Sequence, residues 1–252
     1  MNRHPLRKQR NTSGSTKMQI ILLPGMDGTG LLFEPFIREL SKHIPEDLSV
    51  QAISYPCDQD LNYMQLIDYV RSRLPTEEEI ILVAESFSGP IGFAMATEQP
   101  NKIRAIVFVA TFLSPPKGLI WMLPPRLMAT LMGIPLPIFF LKLLLFEQGT
   151  ANETVTLFRT ASGKVKRSVL AMRMRETTGL RIKRRSLEMP CAYIRAANDR
   201  LISGSHAEEF RIIAPHIRLF TIPGPHFIMH ARPEQCAQVV GEYLKQITIL
   251  TL

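Results

Sequence analysis

Three polar residues each follow a separate apolar run of the sequence, and their side chains are of the types that perform acyl transfer. They are Ser86, Asp199 and His226. A serine hydroxyl is a poor nucleophile until a base takes its proton, and a histidine that a carboxylate orients can serve as that base. The sequence therefore predicts Ser86 as the nucleophile, His226 as the general base and Asp199 as the residue that orients the imidazole.

The residues around Ser86 have the sizes that a nucleophile elbow requires. The apolar run Ile80–Ala84 passes into a helical pattern through a turn with Ser86 at its apex, and the neighbouring residues Ala84, Ser88 and Gly89 are small. In such an elbow the serine has a strained backbone, and small residues two positions before and after it let strand and helix approach. The pattern is A-x-S-x-S, not G-x-S-x-G. The other interpretation is that Ser86 only caps the helix.

A glycine-rich stretch after the first apolar run, Leu22–Gly30, could stabilise an oxyanion. Its three glycines permit positive φ angles and leave backbone N–H groups uncovered. The sequence predicts the N–H groups of Met26 and Phe87 as the two donors of an oxyanion hole. A dinucleotide-binding loop is the weaker interpretation, because the glycine spacing is not G-x-G-x-x-G.

Other histidines and aspartates compete for the two supporting roles. His230 is the main rival, because it lies only four residues after His226, although it falls inside or just before the last predicted helix and not in the loop. The aspartates that compete with Asp199 do not follow the penultimate predicted strand. They are Asp27, Asp58 and Asp60.

Short apolar runs alternate with helical patterns, and this alternation predicts the elements that would position these residues. Runs rich in Ile and Val that are apolar on both faces are typical of a parallel sheet covered by helices on both sides. The predicted strands are Met18–Leu23, Val50–Ser54, Ile80–Ala84, Ile103–Ala110, Cys191–Arg195 and Ile217–Ile222. The predicted helices are Leu32–Lys42, Asn62–Arg73, Ser86–Gln99, Ser205–Ile213 and Pro233–Gln246. The fold class is therefore α/β, with a mainly parallel sheet.

The alternation is interrupted once, after the fourth predicted strand. Residues 113–188 show helical apolar spacing, clustered prolines and methionines and then a basic run, without a convincing strand. A helical insertion at this point is expected to form a cap (lid) over the carboxyl ends of the strands, where α/β folds bind ligands. We predict a disordered basic extension at 1–16, a core of 17–112 and 189–252, and a helical cap at 113–188. The methionines indicate either a site for an apolar acyl chain or packing within the cap.

The excess positive charge of the chain lies in two segments. The net charge is +8, and residues 1–17 sum to +5 while residues 164–185 sum to +8, so the remainder is net acidic. A nucleic-acid-binding domain would be basic more uniformly, and we therefore predict no nucleic-acid partner. The run at 164–185 either attracts an anionic substrate or carrier or forms a solvated helix face.

The cysteines and the longest apolar stretches bear on location. Three cysteines without C-x-x-C spacing argue against a disulfide framework and against a structural zinc site, and they favour the cytoplasm. The first apolar run is short and lacks a cleavage pattern, so it does not resemble a secretory signal. The apolar stretch 118–146 contains two charged residues and four prolines, which leaves too few consecutive apolar residues for a transmembrane helix.

Taken together, the elbow, the glycine-rich loop and the order Ser86, Asp199, His226 resemble the α/β-hydrolase superfamily. The string Leu-Pro-Gly-Met-Asp-Gly-Thr-Gly is also similar to that of a branch containing bacterial carboxylesterases and plastid esterase/lipase/thioesterase-like acyltransferases. The resemblance implies a serine hydrolase that cleaves a small-molecule carboxylic ester or thioester through an acyl-enzyme, without a metal or organic cofactor. Two alternatives stay open, an acyltransferase that excludes water and a lipase that acts at anionic lipid surfaces. A non-enzymatic binding protein would normally have lost one of the three residues.

Overall fold

Six parallel strands form a single sheet in the computed structural model, which describes residues 18–124, 127, 130, 142 and 145–249. The strands are β1 (Met18–Leu23), β2 (Ser49–Ala52), β3 (Glu79–Glu85), β4 (Ile103–Val109), β5 (Cys191–Ala196) and β6 (Arg218–Ile222). Their order in the sheet is β2-β1-β3-β4-β5-β6, and every neighbouring pair is parallel. The predicted α/β class with a parallel sheet is confirmed. The predicted extension at 1–16 lies outside the described residues.

Helices connect and cover these strands. The α-helices of the described part of the chain are α1 (Glu34–Leu40), α2 (Tyr63–Arg71), α3 (Gly89–Glu98), α4 (Asn152–Gly163), α5 (Arg167–Thr178), α6 (Ser205–Ile213), α7 (Ile228–Ala231) and α8 (Pro233–Ile249). Short 3₁₀ turns span Leu31–Phe33, Ser86–Ser88 and Leu119–Met122. Among the described helices, none has both the length and the apolar character that crossing a membrane requires.

The strands bury side chains on both faces because helices lie on both sides of the sheet. In β1, Ile21 and Leu23 pack into one apolar cluster with α2, α3 and α6. Ile20 and Leu22 point to the opposite face and pack with α1 and α8. All four side chains are fully buried. This two-sided burial is the physical reason why the strands contain continuous apolar runs and not alternating polar residues.

The strand order places two loops at the point where open α/β sheets bind ligands. Because β1 lies between β2 and β3, the chain builds the sheet toward one edge from β1 to β2 and toward the other edge from β3 onward. The loops that follow β1 and β3 lie at this switch point, where open α/β sheets generally bind ligands beyond the carboxyl ends of the strands. These loops are the glycine-rich stretch and the turn at Ser86.

The inserted segment, residues 113–188 between β4 and β5, contains helices and no strand in its described part. In α4, Phe158 packs against Phe227, which follows β6. In α5, Val169 packs in a cluster with Met26, which follows β1. Both helices therefore lie at the carboxyl ends of the strands. Residues 125, 126, 128, 129, 131–141, 143 and 144 of this segment lie outside the described residues.

Several element ends differ from the sequence-based predictions for local backbone reasons. β4 ends at Val109 and not at Ala110, because Ala110 has a φ of 45° and a left-handed residue cannot continue an extended strand. The helix predicted from Ser86 begins as a 3₁₀ turn and becomes α-helical at Gly89. His230 lies in the separate short helix α7, just before α8.

Candidate active site

The turn after β3 holds the predicted nucleophile in a strained conformation. Ser86 has a φ of 47°, and within the described part of the chain Ala110 is the only other non-glycine residue with a positive φ. Such a conformation costs of order 1–3 kcal/mol and persists where the surrounding structure enforces it. The side chain of Ser86 is half-buried, whereas Glu85 and Phe87 on either side of it are buried. The turn therefore presents the Ser86 side chain at the end of the sheet.

Small residues bring α3 close to the sheet below this turn. A Cβ built on Gly92 of α3 would lie 2.7 Å from the Cβ of Ala84, and one built on Gly89 would lie 1.9 Å from Oγ1 of Thr111. Both separations are shorter than side-chain contacts allow. An alanine is accommodated two residues before Ser86 because a glycine on the helix faces it.

Ser88 replaces the second glycine of the elbow pattern, and its hydroxyl connects three loops. The side chain is fully buried, and Oγ donates a hydrogen bond to the backbone oxygen of Pro24 in the loop after β1. The hydroxyl of Tyr55, in the loop after β2, lies 2.6 Å from Oγ and donates to it. A buried hydroxyl without partners would be costly, so these bonds explain how serine is tolerated here.

The structure brings Ser86, His226 and Asp199 into one hydrogen-bonded chain. Ser86 Oγ lies 2.8 Å from His226 Nε2, and His226 Nδ1 lies 2.8 Å from Asp199 Oδ2. The second oxygen, Oδ1, accepts hydrogen bonds from the backbone N–H groups of Leu201 and Ile202, both at 2.8 Å. Asp199 is therefore fixed as an acceptor for Nδ1–H, which leaves Nε2 as the acceptor that faces the serine hydroxyl.

Adjacent strands position the two supporting residues. Asp199 follows β5 and His226 follows β6, and these strands are neighbours in the sheet. Beyond the strands, the N–H of Asn198 donates to the backbone oxygen of Gly224 at 2.9 Å, which joins the two loops. Because parallel strands end at the same edge, residues far apart in sequence meet beside Ser86.

The surroundings of His226 favour its protonated form. Burial disfavours the charged imidazole, but the negative charge and hydrogen bond of Asp199 outweigh burial and raise the pKa of His226 above 6.5. The Glu85 carboxylate also raises it, and the charge of His230 opposes this. A raised pKa suits a base that must take a proton from a serine and later return it.

The glycine-rich loop after β1 forms a tight turn next to the elbow. The N–H of Gly28 donates to the backbone oxygen of Gly25 at 3.1 Å, and Gly28 has a φ of 70° that favours glycine. Met26, one predicted oxyanion donor, lies inside this turn. Phe87, the other, is the second residue of the 3₁₀ turn Ser86–Ser88, and N–H groups at a helix start have no carbonyl partner within the helix.

His230 takes part in a different pair. Its Nε2 lies 2.8 Å from Glu85 Oε1, and its Nδ1 lies 2.9 Å from the backbone oxygen of Leu32. Both side chains are buried. Burial disfavours the charged imidazole, but the charge and hydrogen bond of Glu85 outweigh this and raise the pKa of His230. His230 therefore contacts Glu85 and not Ser86.

The competing aspartates do not join the chain at Ser86. Asp27 Oδ2 accepts hydrogen bonds from the N–H and the hydroxyl of Thr29, at 2.9 and 2.6 Å. Asp58 and Asp60 are exposed in the loop after β2. In the described parts of the chain, no group of three or more His, Cys, Asp or Glu side chains is arranged to hold a metal ion.

Two residues near the site were not identified from the sequence. Glu85 lies just after the predicted strand Ile80–Ala84 and was assigned no role, although an acid at the end of an apolar run and next to the predicted nucleophile is a signal in the sequence. Arg173 belongs to the basic run, but its side chain is buried and its guanidinium bonds to the loop after β1. Nothing in the sequence distinguishes Arg173 from its exposed neighbours.

A model of the alpha/beta hydrolase family matches residues 20–239. A search among curated proteins found no match. Among solved structures, a thermophilic esterase from Thermogutta terrifontis with malate bound is similar, with 15% identity and a TM-score of 0.72 over 92% of this chain and 91% of that chain.

Two further structures have similar folds. One is an enol-lactonase from Burkholderia xenovorans LB400, with 14% identity and a TM-score of 0.70 over 92% of each chain. The other is the type II thioesterase BorB from the borrelidin biosynthetic cluster, with 20% identity and a TM-score of 0.64 over 91% of this chain and 93% of that chain. At these identities the similarity establishes the fold.

Proposed function

The chain belongs to the alpha/beta hydrolase family and is a hydrolytic enzyme, and we propose that it cleaves carboxylic esters or thioesters through an acyl-enzyme on Ser86. The observation that carries this proposal is the chain of hydrogen bonds from Ser86 through His226 to Asp199, with 2.8 Å at each link. The strained backbone of Ser86, between a buried strand and a helix, supports the same assignment.

In the proposed acylation step, His226 Nε2 takes the proton of the Ser86 hydroxyl while Oγ attacks the acyl carbon. Asp199 stabilises the imidazolium that forms. The N–H groups of Met26 and Phe87 donate to the oxyanion of the tetrahedral intermediate. His226 then gives its proton to the leaving alcohol or thiol as the bond between that group and the acyl carbon breaks.

In the proposed deacylation step, water repeats the attack on the acyl-enzyme. His226 takes a proton from the water and returns it to Ser86 Oγ as the carboxylic acid leaves. These steps use only water and the side chains and backbone groups of this chain.

We infer further that residues 113–188 act as a cap and that the acyl group is apolar. Phe227 follows the proposed base directly, and it packs against Phe146 and Phe158 of the inserted segment with ring centroids 5.0 Å apart in both pairs. An aromatic cluster next to His226 favours an apolar acyl chain over a charged one.

The basic run supports a proposal about charge on the substrate or its carrier. Eight of the nine basic side chains in residues 164–185 are exposed, and Arg173 is the buried exception. Clustered exposed charge of one sign raises the encounter rate of an anionic acyl substrate or carrier thioester. We expect kcat/KM for an anionic substrate to fall steeply with added salt, while kcat/KM for a neutral ester changes little. Equal salt responses would identify the run as solvated surface only.

A series of p-nitrophenyl esters and acyl thioesters of increasing chain length tests the proposed function. We expect kcat/KM to rise with chain length and the wild type to release a burst of p-nitrophenol, because the acyl-enzyme accumulates. Ser86→Ala should abolish both the hydrolysis and the burst. A wild type that hydrolyses neither substrate class would contradict the proposal. Ester products in the presence of an added alcohol would identify an acyltransferase, and higher activity on anionic vesicles than on soluble esters would identify a lipase.

The cysteines support a proposal about location. Cys57, Cys191 and Cys236 are free thiols. Secreted proteins usually pair their cysteines, so we propose a cytoplasmic location. Fractionation of cells that express the tagged full chain tests this assignment.

A further inference from the structure

Arg173 of α5 brings a buried cation to the turn that holds the predicted oxyanion donor. Its side chain is only 1% exposed. Nη1 donates to the backbone oxygens of Met26 and Asp27, both at 2.8 Å, and Nη2 donates to the backbone oxygen of Pro56 at 2.9 Å. One guanidinium thus joins α5 to the loops that follow β1 and β2.

These contacts fix the peptide units of the turn. A peptide unit is planar and trans, so the direction of its C=O sets the direction of its N–H. Arg173 holds the C=O groups of Met26 and Asp27, and the Gly28 N–H holds the C=O of Gly25 at 3.1 Å. The Gly25 C=O shares its peptide unit with the Met26 N–H. The three hydrogen bonds therefore determine where the Met26 N–H points.

The fit between the guanidinium and the turn is close. A Cβ built on Gly28 would lie 2.4 Å from Nη1 of Arg173, so any side chain at Gly28 would displace the guanidinium. Burial lowers the pKa of Arg173, and the charge of Asp27 opposes this shift. Hydrogen bonds from a charged donor are about twice as strong as neutral ones, and a cation bonded to a C=O polarises the adjoining peptide unit.

We propose that Arg173 is a positioning residue that orients and polarises the oxyanion-binding turn, an inference that rests on the proposed function. Arg173 does not touch the reacting atoms. It acts through the turn Gly25–Gly28, and it makes the oxyanion hole dependent on a helix of the inserted segment. The guanidinium is required because its planar fork reaches two neighbouring carbonyl oxygens and that of Pro56 together, whereas an ammonium group is a single point donor.

The test compares two variants of the full chain, because they perturb the turn in different ways. Arg173→Lys keeps the charge without the fork, and Arg173→Met keeps much of the volume without a buried charge. Arg175→Lys is the matched control, since Arg175 is exposed on the same helix. Folding is checked by circular dichroism, and kcat, KM and the affinity for an aryl boronic acid, which forms a tetrahedral adduct with the nucleophile, are measured.

Removal of an oxyanion donor costs about 10²–10³-fold in kcat, and a misdirected donor costs less. We therefore expect kcat of both Arg173 variants to fall by about 10- to 100-fold, KM to change by less than about threefold, and boronate affinity to fall in parallel with kcat/KM. Arg175→Lys should match the wild type.

Three outcomes would overturn this inference. The first is a higher KM with an unchanged kcat. The second is a kcat and a boronate affinity that both stay within about twofold of the wild type. The third is loss of the fold in both variants, which would make Arg173 a purely structural residue. Failure of the proposed function is distinguishable, because the wild type itself would then hydrolyse no ester or thioester.

Discussion

Two buried histidine–carboxylate pairs lie next to Ser86, and they differ in what the second ring nitrogen contacts. In the first pair, His226 Nδ1 lies 2.8 Å from Asp199, and Nε2 lies 2.8 Å from the Ser86 hydroxyl. In the second pair, His230 Nε2 lies 2.8 Å from Glu85, and Nδ1 lies 2.9 Å from the backbone oxygen of Leu32. Both imidazoles have a raised pKa, and the charge of the partner carboxylate opposes the effect of burial in each case.

The difference shows that burial beside a carboxylate is not enough to make a histidine a general base for Ser86. Both ring nitrogens of His230 face acceptor oxygens, so its surroundings favour the doubly protonated ring, and neither nitrogen is directed at Ser86. Only one partner of His226 is a pure acceptor. Its Nε2 faces a hydroxyl that can donate, which leaves a lone pair for the serine proton. The second pair therefore fits a structural role below the elbow.

The largest contrast is expected between the two histidines. His226→Ala should lower kcat/KM by at least about 10⁴-fold, because His226 Nε2 lies 2.8 Å from the serine hydroxyl and would take its proton. His230→Gln should keep kcat/KM within about tenfold of the wild type, since His230 does not contact the reacting atoms. Steady-state kinetics on a soluble ester with folded variants measures both effects. A reversed order would move the base to residue 230.

The two carboxylates should show a similar contrast. Asp199→Asn should lower kcat by about 10⁴-fold, because an amide favours the wrong tautomer of the imidazole. Glu85→Gln should change kcat far less, because the Glu85 carboxylate lies against His230, with 2.8 Å between Oε1 and Nε2, and Asp199 is the carboxylate that bonds to His226. Equal losses in the two variants, measured under the same conditions, would show that both pairs act in the reaction.

The pair of His230 and Glu85 should contribute to the stability of the fold. Breaking a buried ion pair typically costs roughly 3–5 kcal/mol, so we expect a loss of that order in the free energy of unfolding for His230→Gln or Glu85→Gln. Urea denaturation of both single variants and the double variant measures it. Strictly additive losses in the double variant would contradict an interaction between His230 and Glu85.

The pH dependence of this stabilisation follows from the raised pKa of His230. Folding favours the protonated ring, so the contribution is fully present below the ordinary histidine pKa of 6.5 and is lost as the pH rises through the higher pKa of the folded state. The difference in unfolding free energy between wild type and His230→Gln should therefore shrink as the pH rises. A difference that grows with pH would contradict the ion pair.

The smallest expected effect is a shift in the pH dependence of kcat/KM. His226 must be neutral to act as a base, so kcat/KM should fall as the pH drops through a pKa above 6.5. The Glu85 charge contributes to that raised pKa. Glu85→Gln should therefore move the acidic limb of the profile to lower pH. An acidic limb in the wild type that lies below 6.5 would contradict the assigned surroundings of His226.

The sheet could be predicted from the sequence because its physical requirement is visible there. A strand buried on both faces must be continuously apolar, and β1 was predicted with the bounds Met18–Leu23 that the structure shows. Parallel strands end at one edge, so loops after β3, β5 and β6 were expected to meet. The structure does bring Ser86, Asp199 and His226 together.

The remaining features depend on contacts that local pattern does not encode. Arg173 stands among eight exposed basic residues, and only the fold shows that its guanidinium is buried under the turn after β1. Glu85 and His230 are 145 positions apart, and their pairing depends on the packing of α7 against the elbow. Ala110 ends β4 through a positive φ that its residue type does not favour.

Labelling by a fluorophosphonate probe tests the central claim most directly, because the probe reacts with a serine that a neighbouring base activates. Peptide mass spectrometry should locate the adduct on Ser86 in the wild type and in His230→Gln, and the rate of labelling should fall by orders of magnitude in His226→Ala. An adduct on another residue would contradict the account. So would undiminished labelling of Ser86 in His226→Ala.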